Sequence, residues 1–257
     1  MINSTQNPKV RHARQLLRYA KARRENQQWV METQASIMAL IQQEPDQLAY
    51  LLYQHLSPEL TQCIVPYQDR CYQVSESVFK EIPSIKTSPG VIAVVHAKQW
   101  DMASLIKTPF KGLYLDGVSK PGNMGSIIRS AAAFGMDGVW VGEGCVDPFH
   151  PDSIRGMAGH CFQVPIIFES LSCIQSQFPK MQYYELDCQG SDVITQTKWH
   201  PQSLIVLGSE QGAFRNAIPS QAHHRVRIPI HASVDSLNIA SSVSICLYEM
   251  SRDSQKT

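Results

Sequence analysis

The sequence predicts an α/β protein whose larger part is a mostly parallel sheet covered by helices on both faces, preceded by a smaller α/β domain. Three observations predict it. Short apolar runs alternate with segments of helical period from Gly112 to Met250. A second alternation, with apolar positions of its own, fills residues 1 to 96. Three loops bearing glycine or proline follow predicted strands directly, which is where open α/β sheets bind ligands.

The first domain begins at Asn7-Pro8, with Pro at the first helical position and Val10, Ala13, Leu16, Leu17 and Ala20 recurring at helical spacing. Trp29 to Met31 reads as a short strand, residues 34 to 43 as a helix and Leu48 to Tyr53 as a buried strand. Ser57 to Thr61 reads as a short helix and Ser75 to Glu81 as a capped one. Pro89-Gly90 breaks the chain before the strand Val91 to Val95. Polar residues mixed with Trp100 and Pro109 make 97–111 the expected linker, so the expected domains are 1–96 and 112–257.

In the second domain strands are expected at Gly112 to Leu115, Val139 to Val141, Val164 to Phe168, Tyr183 to Leu186, Leu204 to Leu207 and Arg225 to Ile228. Helices are expected from Asn123 to Phe134, near Ser153, from Leu171 to Phe178 and from Ser236 to Met250.

The 257 residues are 43% hydrophobic, enough for packed cores without staples. No run approaches the roughly 18 apolar residues of a membrane span, and the N-terminus lacks a signal-peptide core, so the cytoplasm is expected. Seven scattered cysteines, none spaced C-x-x-C, suggest neither a disulfide framework nor a zinc site. The adjacent His223 and His224 have no ligand spacing either, and no metal is expected.

Net charge is only +1, but its distribution is uneven. Lys9, Arg11, Arg14, Arg18, Lys21, Arg23 and Arg24 stand together without an acidic residue among them. Such a run fits a phosphate backbone, and a solvated helix face is the plainer alternative.

The first of the three loops runs from Leu115 to Gly135, where Pro121, Gly122 and Gly125 shape a turn into a helix that places Arg129 on its first or second turn. Exposed N–H groups beside an Arg suit an anion such as an RNA phosphate; an ordinary β-α turn with a surface Arg is the alternative. Neither G-x-G-x-x-G nor a P-loop is present, which argues against a dehydrogenase or nucleotide hydrolase. The second loop, Leu204-Ile-Val-Leu-Gly-Ser-Glu-Gln-Gly, runs an apolar strand into Gly208 and Glu210, where a ligand can approach the backbone and a carboxylate can orient an Arg. The third, Arg227 to Ala240, brings Ser236 and Asn238 to the start of the last helix, where capping is the alternative role for both.

In this order the three segments resemble motifs 1, 2 and 3 of the SpoU/TrmH (SPOUT) family of RNA 2′-O-ribose methyltransferases. Asn123 and Arg129 match motif 1, Gly208 and Glu210 motif 2, and Ser236, Leu237 and Asn238 the Ser-Leu-Asn core of motif 3. The likeness covers residues 112 to 250, and a weaker one reaches the N-terminus, where many members carry a small RNA-binding α/β domain. Two positions depart from the family pattern: Gln211 stands where Gly often follows the motif 2 Glu, and Thr33 follows Glu32 where Gly is common.

The resemblance implies a deep trefoil knot near the C-terminus and a homodimer whose active sites are completed across the interface. S-adenosylmethionine would bind at Gly208, Ile228 and Leu237, with Leu207, Ser209 and Pro229 nearby. The implied catalytic set is Arg129, Asn123, Glu210, Ser236 and Asn238. Since an arginine is a poor base, the expected division of labour has Arg129 position phosphate and ribose, Asn123 and Glu210 orient Arg129, and Ser236 and Asn238 order the site. Arg11, Arg14 and Arg18 are the expected RNA contacts. The extra domain favours ribosomal over transfer RNA as substrate; a non-catalytic ribosome assembly factor is the reading from another class.

Overall fold

The computed structural model describes residues 1–82, 90–100, 105, 108–208, 218 and 222–254. They divide into two compact units, Met1–Gln99 with Asp147–Phe162, and Trp100–Val146 with Gln163–Thr257. The segment 147–162, which the sequence reading assigns to the second domain, therefore packs with the first. Most of the expected linker lies outside the described residues.

The first unit is built on strands β1 (Gln28–Met31), β2 (Leu48–Tyr53), β3 (Cys71–Gln73) and β4 (Val91–His96), in the order β1-β4-β2-β3. Only β2 and β3 run parallel. Because side chains alternate along a strand, Val30, Tyr50, Leu52, Ile92 and Val94 share one face and receive Val10, Ala13, Leu16 and Leu17 of the helix Pro8–Arg18. Trp29 points the other way and is 2% exposed. Its ring stacks on Phe149 at 5.4 Å between centroids and meets Phe162 at 5.6 Å, which is why residues 147–162 belong here.

Two ion pairs hold that segment to the unit. Arg155 donates to Glu32, a carboxylate 1% exposed, at 2.7 Å, and Arg23 donates through Nε to Asp147 at 2.7 Å. Thr33, the residue that departs from the family pattern, caps the helix Gln34–Gln43 by accepting the Ser36 N–H at 3.2 Å.

The expected single helix through the basic run is two helices. Tyr19 is extended (φ −123°, ψ 119°) between Pro8–Arg18 and Ala20–Asn26. The break frees carbonyls at the end of the first helix, and Arg23 Nη1 donates to those of Leu16 (2.6 Å) and Leu17 (3.5 Å). One cation of the run is thus committed to structure.

The second unit has a seven-stranded sheet of β5 (Phe110–Leu115), β6 (Gly138–Val141), β7 (Ile166–Phe168), β8 (Gln182–Leu186), β9 (Asp192–Val193), β10 (Gln202–Leu207) and β11 (His223–Arg227). The order is β7-β6-β5-β10-β8-β11-β9, and every neighbouring pair is parallel. Phe110, Tyr114, Trp140, Tyr183, Leu204 and Val206 pack on one face with Leu171 and Ile174 of the helix Leu171–Gln177. Lys111, pointing to the opposite face, donates through Nζ to the Met250 carbonyl of the helix Ile239–Ser254 at 2.8 Å. That helix packs on Pro121–Ala133, where the Ser130 and Ser244 hydroxyls meet at 2.8 Å. The sheet is therefore covered on both faces.

Two expected boundaries move in ways that bear on the site. The helix expected from Asn123 starts at Pro121, so Arg129 is its ninth residue and falls on the third turn rather than the first or second. The last helix starts at Ile239, which leaves Ser236 and Asn238 in the loop before it.

Candidate functional site

Neighbouring strands β5 and β10 send their chains in opposite directions across the sheet, β5 toward β6 and β10 toward β11. Such a switch point leaves a crevice beyond the carboxyl ends of the strands. A cavity of about 430 Å³ lies in the second unit just there. Leu186 ends β8, Leu207 ends β10 with Gly208 just beyond it, and Ile228 follows β11; the loop before the last helix supplies Ser236, Leu237 and Asn238. Apolar side chains give it walls, while Lys120, Asp187 and Ser242 bring polar groups to it.

Of the expected cofactor positions, Leu207, Gly208, Ile228 and Leu237 line this cavity. Pro229 is exposed and is not among the lining residues, although its neighbours Ile228 and Ile230 are. Ser209 lies outside the described residues, as do Glu210 and Gln211.

Asn238 joins the first and third loops. Its Oδ1 accepts the backbone N–H of Ala240 (2.9 Å) and of Ser241 (3.4 Å), capping the last helix. That fixes the amide orientation and aims Nδ2 at Asn123, whose Oδ1 accepts at 3.3 Å. Capping and site assembly, alternatives in the sequence, are here carried out by one side chain. Beneath them, the Asp116 N–H donates to the Leu207 carbonyl at 3.0 Å, tying the end of β5 to that of β10.

Arg129 is exposed and has no ion-pair partner among the described residues. Ser236 is exposed on the cavity rim. Four of the five expected catalytic residues are thus described, and two of them are in direct contact.

Sequence reasoning missed the wall that follows β8. Asp187 and Cys188 line the cavity, and Asp187 accepts from Gln189 N at 2.8 Å and from Arg225 Nε at 2.9 Å. Partial burial works against its charge, but the Gln189 amide and the Arg225 guanidinium outweigh it and hold the carboxyl below its ordinary range. The signal was present as Gly190: a Cβ there would stand 2.6 Å from the Arg225 carbonyl oxygen, so the loop closes tightly on β11 only with glycine.

In the first unit Arg11, Arg14 and Arg18 share one side of the helix Pro8–Arg18 and border a shallow groove of about 210 Å³. Arg11 and Arg18 are exposed, and none of the three has an ion-pair partner among the described residues.

A parallel α/β sheet with a ligand-sized cavity at its switch point defines a protein that binds a small molecule at the carboxyl ends of its strands. The SpoU rRNA Methylase family model matches residues 112–248, and the chain belongs to that family. It is 31% identical to an uncharacterized tRNA/rRNA methyltransferase of Synechocystis, over 98% of this chain and 93% of that one. It is 26% identical to RlmP of Bacillus subtilis, a 23S rRNA guanosine 2′-O-methyltransferase, over 70% of this chain and 72% of the relative. Among solved structures, the AdoMet-bound rRNA methyltransferase of Sinorhizobium meliloti superposes with a TM-score of 0.80 at 25% identity, covering 98% of this chain and 97% of that one.

Proposed function

We propose that this protein transfers a methyl group from S-adenosylmethionine to a ribose 2′-hydroxyl of RNA, with ribosomal RNA as substrate. The observation that carries the reading is the convergence of the three sequence segments: Leu207, Gly208, Ile228 and Leu237 line one cavity, and the Asn123–Asn238 hydrogen bond closes its edge. The names of RlmP and of the Sinorhizobium protein support ribosomal RNA and the cofactor respectively.

The residues present fit S-adenosylmethionine. The cavity volume is in the range of small-molecule sites, roughly 300–1,000 Å³. Leu186, Leu207 and Ile228 offer apolar surface to an adenine ring, and Gly208 lets it approach the backbone. Asp187 and Ser236 offer polar partners for the ribose and amino acid portions. When bound, the cofactor supplies an electrophilic methyl group on a sulfonium.

The protein's own residues bring the hydroxyl to it. Arg129, exposed and with no ion-pair partner among the described residues, holds the RNA phosphate beside the target ribose, as an arginine fork does for phosphate oxygens. Asn123 and Asn238 fix the loop that faces it, Ser236 orders the substrate at the rim, and Glu210 orients Arg129. Holding the reactants in line is the main source of rate in such a site.

The same reading makes residues 1–96 a substrate-binding domain that grips RNA through Arg11, Arg14 and Arg18. It brings with it a knotted C-terminal segment, a homodimer and a cytoplasmic location. Ile245 and Tyr248 support the dimer, being large apolar side chains exposed on the helix Ile239–Ser254 at 38% and 50%.

The test is transfer of labelled methyl from S-adenosylmethionine to unmodified 23S ribosomal RNA and, separately, to unmodified transfer RNA, with the product mapped for 2′-O-methylation. Incorporation into ribosomal RNA is expected, and incorporation only into transfer RNA would overturn the substrate. Arg129→Ala should lower the single-turnover rate about a hundredfold or more; a wild-type rate would remove Arg129 from the site.

A further inference from the structure

The basic helix Pro8–Arg18 of the first unit does not end as a plain basic face. At its C-terminus, where the chain breaks between two helices, Tyr19 stands 58% exposed. A tyrosine buries much of its surface when it has a partner, yet this ring stacks on no other ring among the described residues. Its backbone is held firmly, because Tyr19 N–H donates to the Gln15 carbonyl at 2.9 Å and its own carbonyl accepts from Arg23 at 3.3 Å. A rigid backbone thus presents a bare aromatic face to solvent.

What surrounds the ring is charge of one sign. Tyr19 borders the same groove as Arg11, Arg14, Gln15 and Arg18, with Thr5 and Gln6 completing the lining and no acidic residue in it. The nearest acid in sequence, Glu25, faces Lys21 at 3.7 Å, and Arg23 is buried against Asp147. At 1.5 Å rise per residue, Arg11, Arg14 and Arg18 follow one another at about 4.5 and 6 Å along the helix axis. This spacing lets them serve neighbouring phosphates of a single strand.

We infer that the groove beside Tyr19 is a subsite for an unpaired nucleotide of the RNA substrate, whose base stacks on the Tyr19 ring while Arg11, Arg14 and Arg18 hold the adjoining phosphates. The inference rests on the RNA reading above and specifies it, since a duplex has its bases stacked away and offers only its backbone to such a groove. Stacking on an aromatic side chain is tolerant of sequence but needs a free base face. The subsite therefore selects a loop, bulge or end over a helix, and Gln6 and Gln15 supply amides for the base edge.

The experiment measures binding of the full chain to a short fluorescent oligouridylate and to a fully paired, blunt-ended RNA duplex, across a salt series. Tyr19→Ala should weaken oligouridylate binding about tenfold while leaving the slope of log K against log salt unchanged, and should leave duplex binding unaltered. Tyr19→Phe should keep wild-type affinity because it keeps the ring. Arg14→Ala and Arg18→Ala should lower the slope for both RNAs. With 5-iodouridine in the single strand, light should cross-link Tyr19 in the wild type.

Equal affinity of wild type and Tyr19→Ala for the single strand, or an equal loss on the duplex, would overturn the subsite and leave the methyltransferase reading standing. A wild type that binds cofactor but neither RNA would instead overturn the assignment of the first unit to RNA, and this inference with it.

Discussion

Asn238 holds two jobs that substitution can separate. Asn238→Ala removes the acceptor that caps the last helix, which costs about 1 kcal/mol, and the exposed bond to Asn123, which adds about 0.5 kcal/mol. At roughly 2–4 °C per kcal/mol for a chain of this size, the melting temperature should fall by about 4 °C. Asn238→Asp keeps an acceptor for the Ala240 and Ser241 N–H groups and puts negative charge at a helix N-terminus, so its stability should stay within about 0.5 kcal/mol of wild type. It loses the Nδ2–H donor, however, and sets a carboxylate oxygen against the Asn123 carbonyl oxygen 3.3 Å away. The first and third loops should then part by a fraction of an ångström or more. Misplacement on that scale lowers rates by about a hundredfold when reactants must be held in line. Single-turnover methyl transfer at saturating S-adenosylmethionine, run beside thermal unfolding, should therefore show both variants slow and only the alanine variant destabilised. A wild-type rate for Asn238→Asp would refute the claim that the contact assembles the site; equal destabilisation of both variants would refute the capping assignment.

Two further outcomes follow from ion pairs, one buried and one at the surface. Asp147→Ala leaves the Arg23 guanidinium, 4% exposed, without its carboxylate, and should cost about 3 kcal/mol of stability in urea unfolding; a loss under about 1 kcal/mol would mean that the Leu16 and Leu17 carbonyls suffice for Arg23. For Asp187 the carboxyl in the folded protein titrates below its unfolded value near 4, so its charge stabilises the fold above that pH and the contribution is lost as pH falls through the folded value. The melting-temperature advantage of wild type over Asp187→Asn should accordingly be constant near neutrality and shrink on acidification below about pH 4, and a pH-independent difference would contradict the ion pair with Arg225.

The fold was legible where local pattern and packing agree. Strands such as Leu48–Tyr53 and Gln202–Leu207 are apolar because the sheet buries them, and the sequence bounds them to within two residues. What periodicity cannot carry is a partner more than a hundred residues away. Trp29 looks like any strand tryptophan until Phe149 and Phe162 cover it, and Glu32 like any surface acid until Arg155 reaches it; these contacts assign 147–162 to the first unit. The break at Tyr19 was hidden for a similar reason, since Val10, Leu17 and Ala20 keep a helical register across it and only the fold-back of Arg23 onto two carbonyls reveals it.

The site shows the same division between what is local and what is assembled. Loops with an evident signature, glycine or a Ser-Leu-Asn core beside a strand end, were found, because a ligand's need for backbone access or a helix's need for a cap is written into adjacent residues. The wall after β8 carries only the lone Gly190, four residues past the strand end. Asp187 reaches the cavity only because β10 enters between β5 and β8 and brings Gly208 beside it, an order of strands that no stretch of sequence states. Its distance from the recognised segments is also what makes it informative: a change at Asp187 perturbs the cavity through Arg225 and β11 without touching Asn123, Arg129 or Asn238. Loss of cofactor affinity in Asp187→Asn with an unchanged single-turnover rate at saturation would thus separate cavity from catalytic edge, and loss of both would join them.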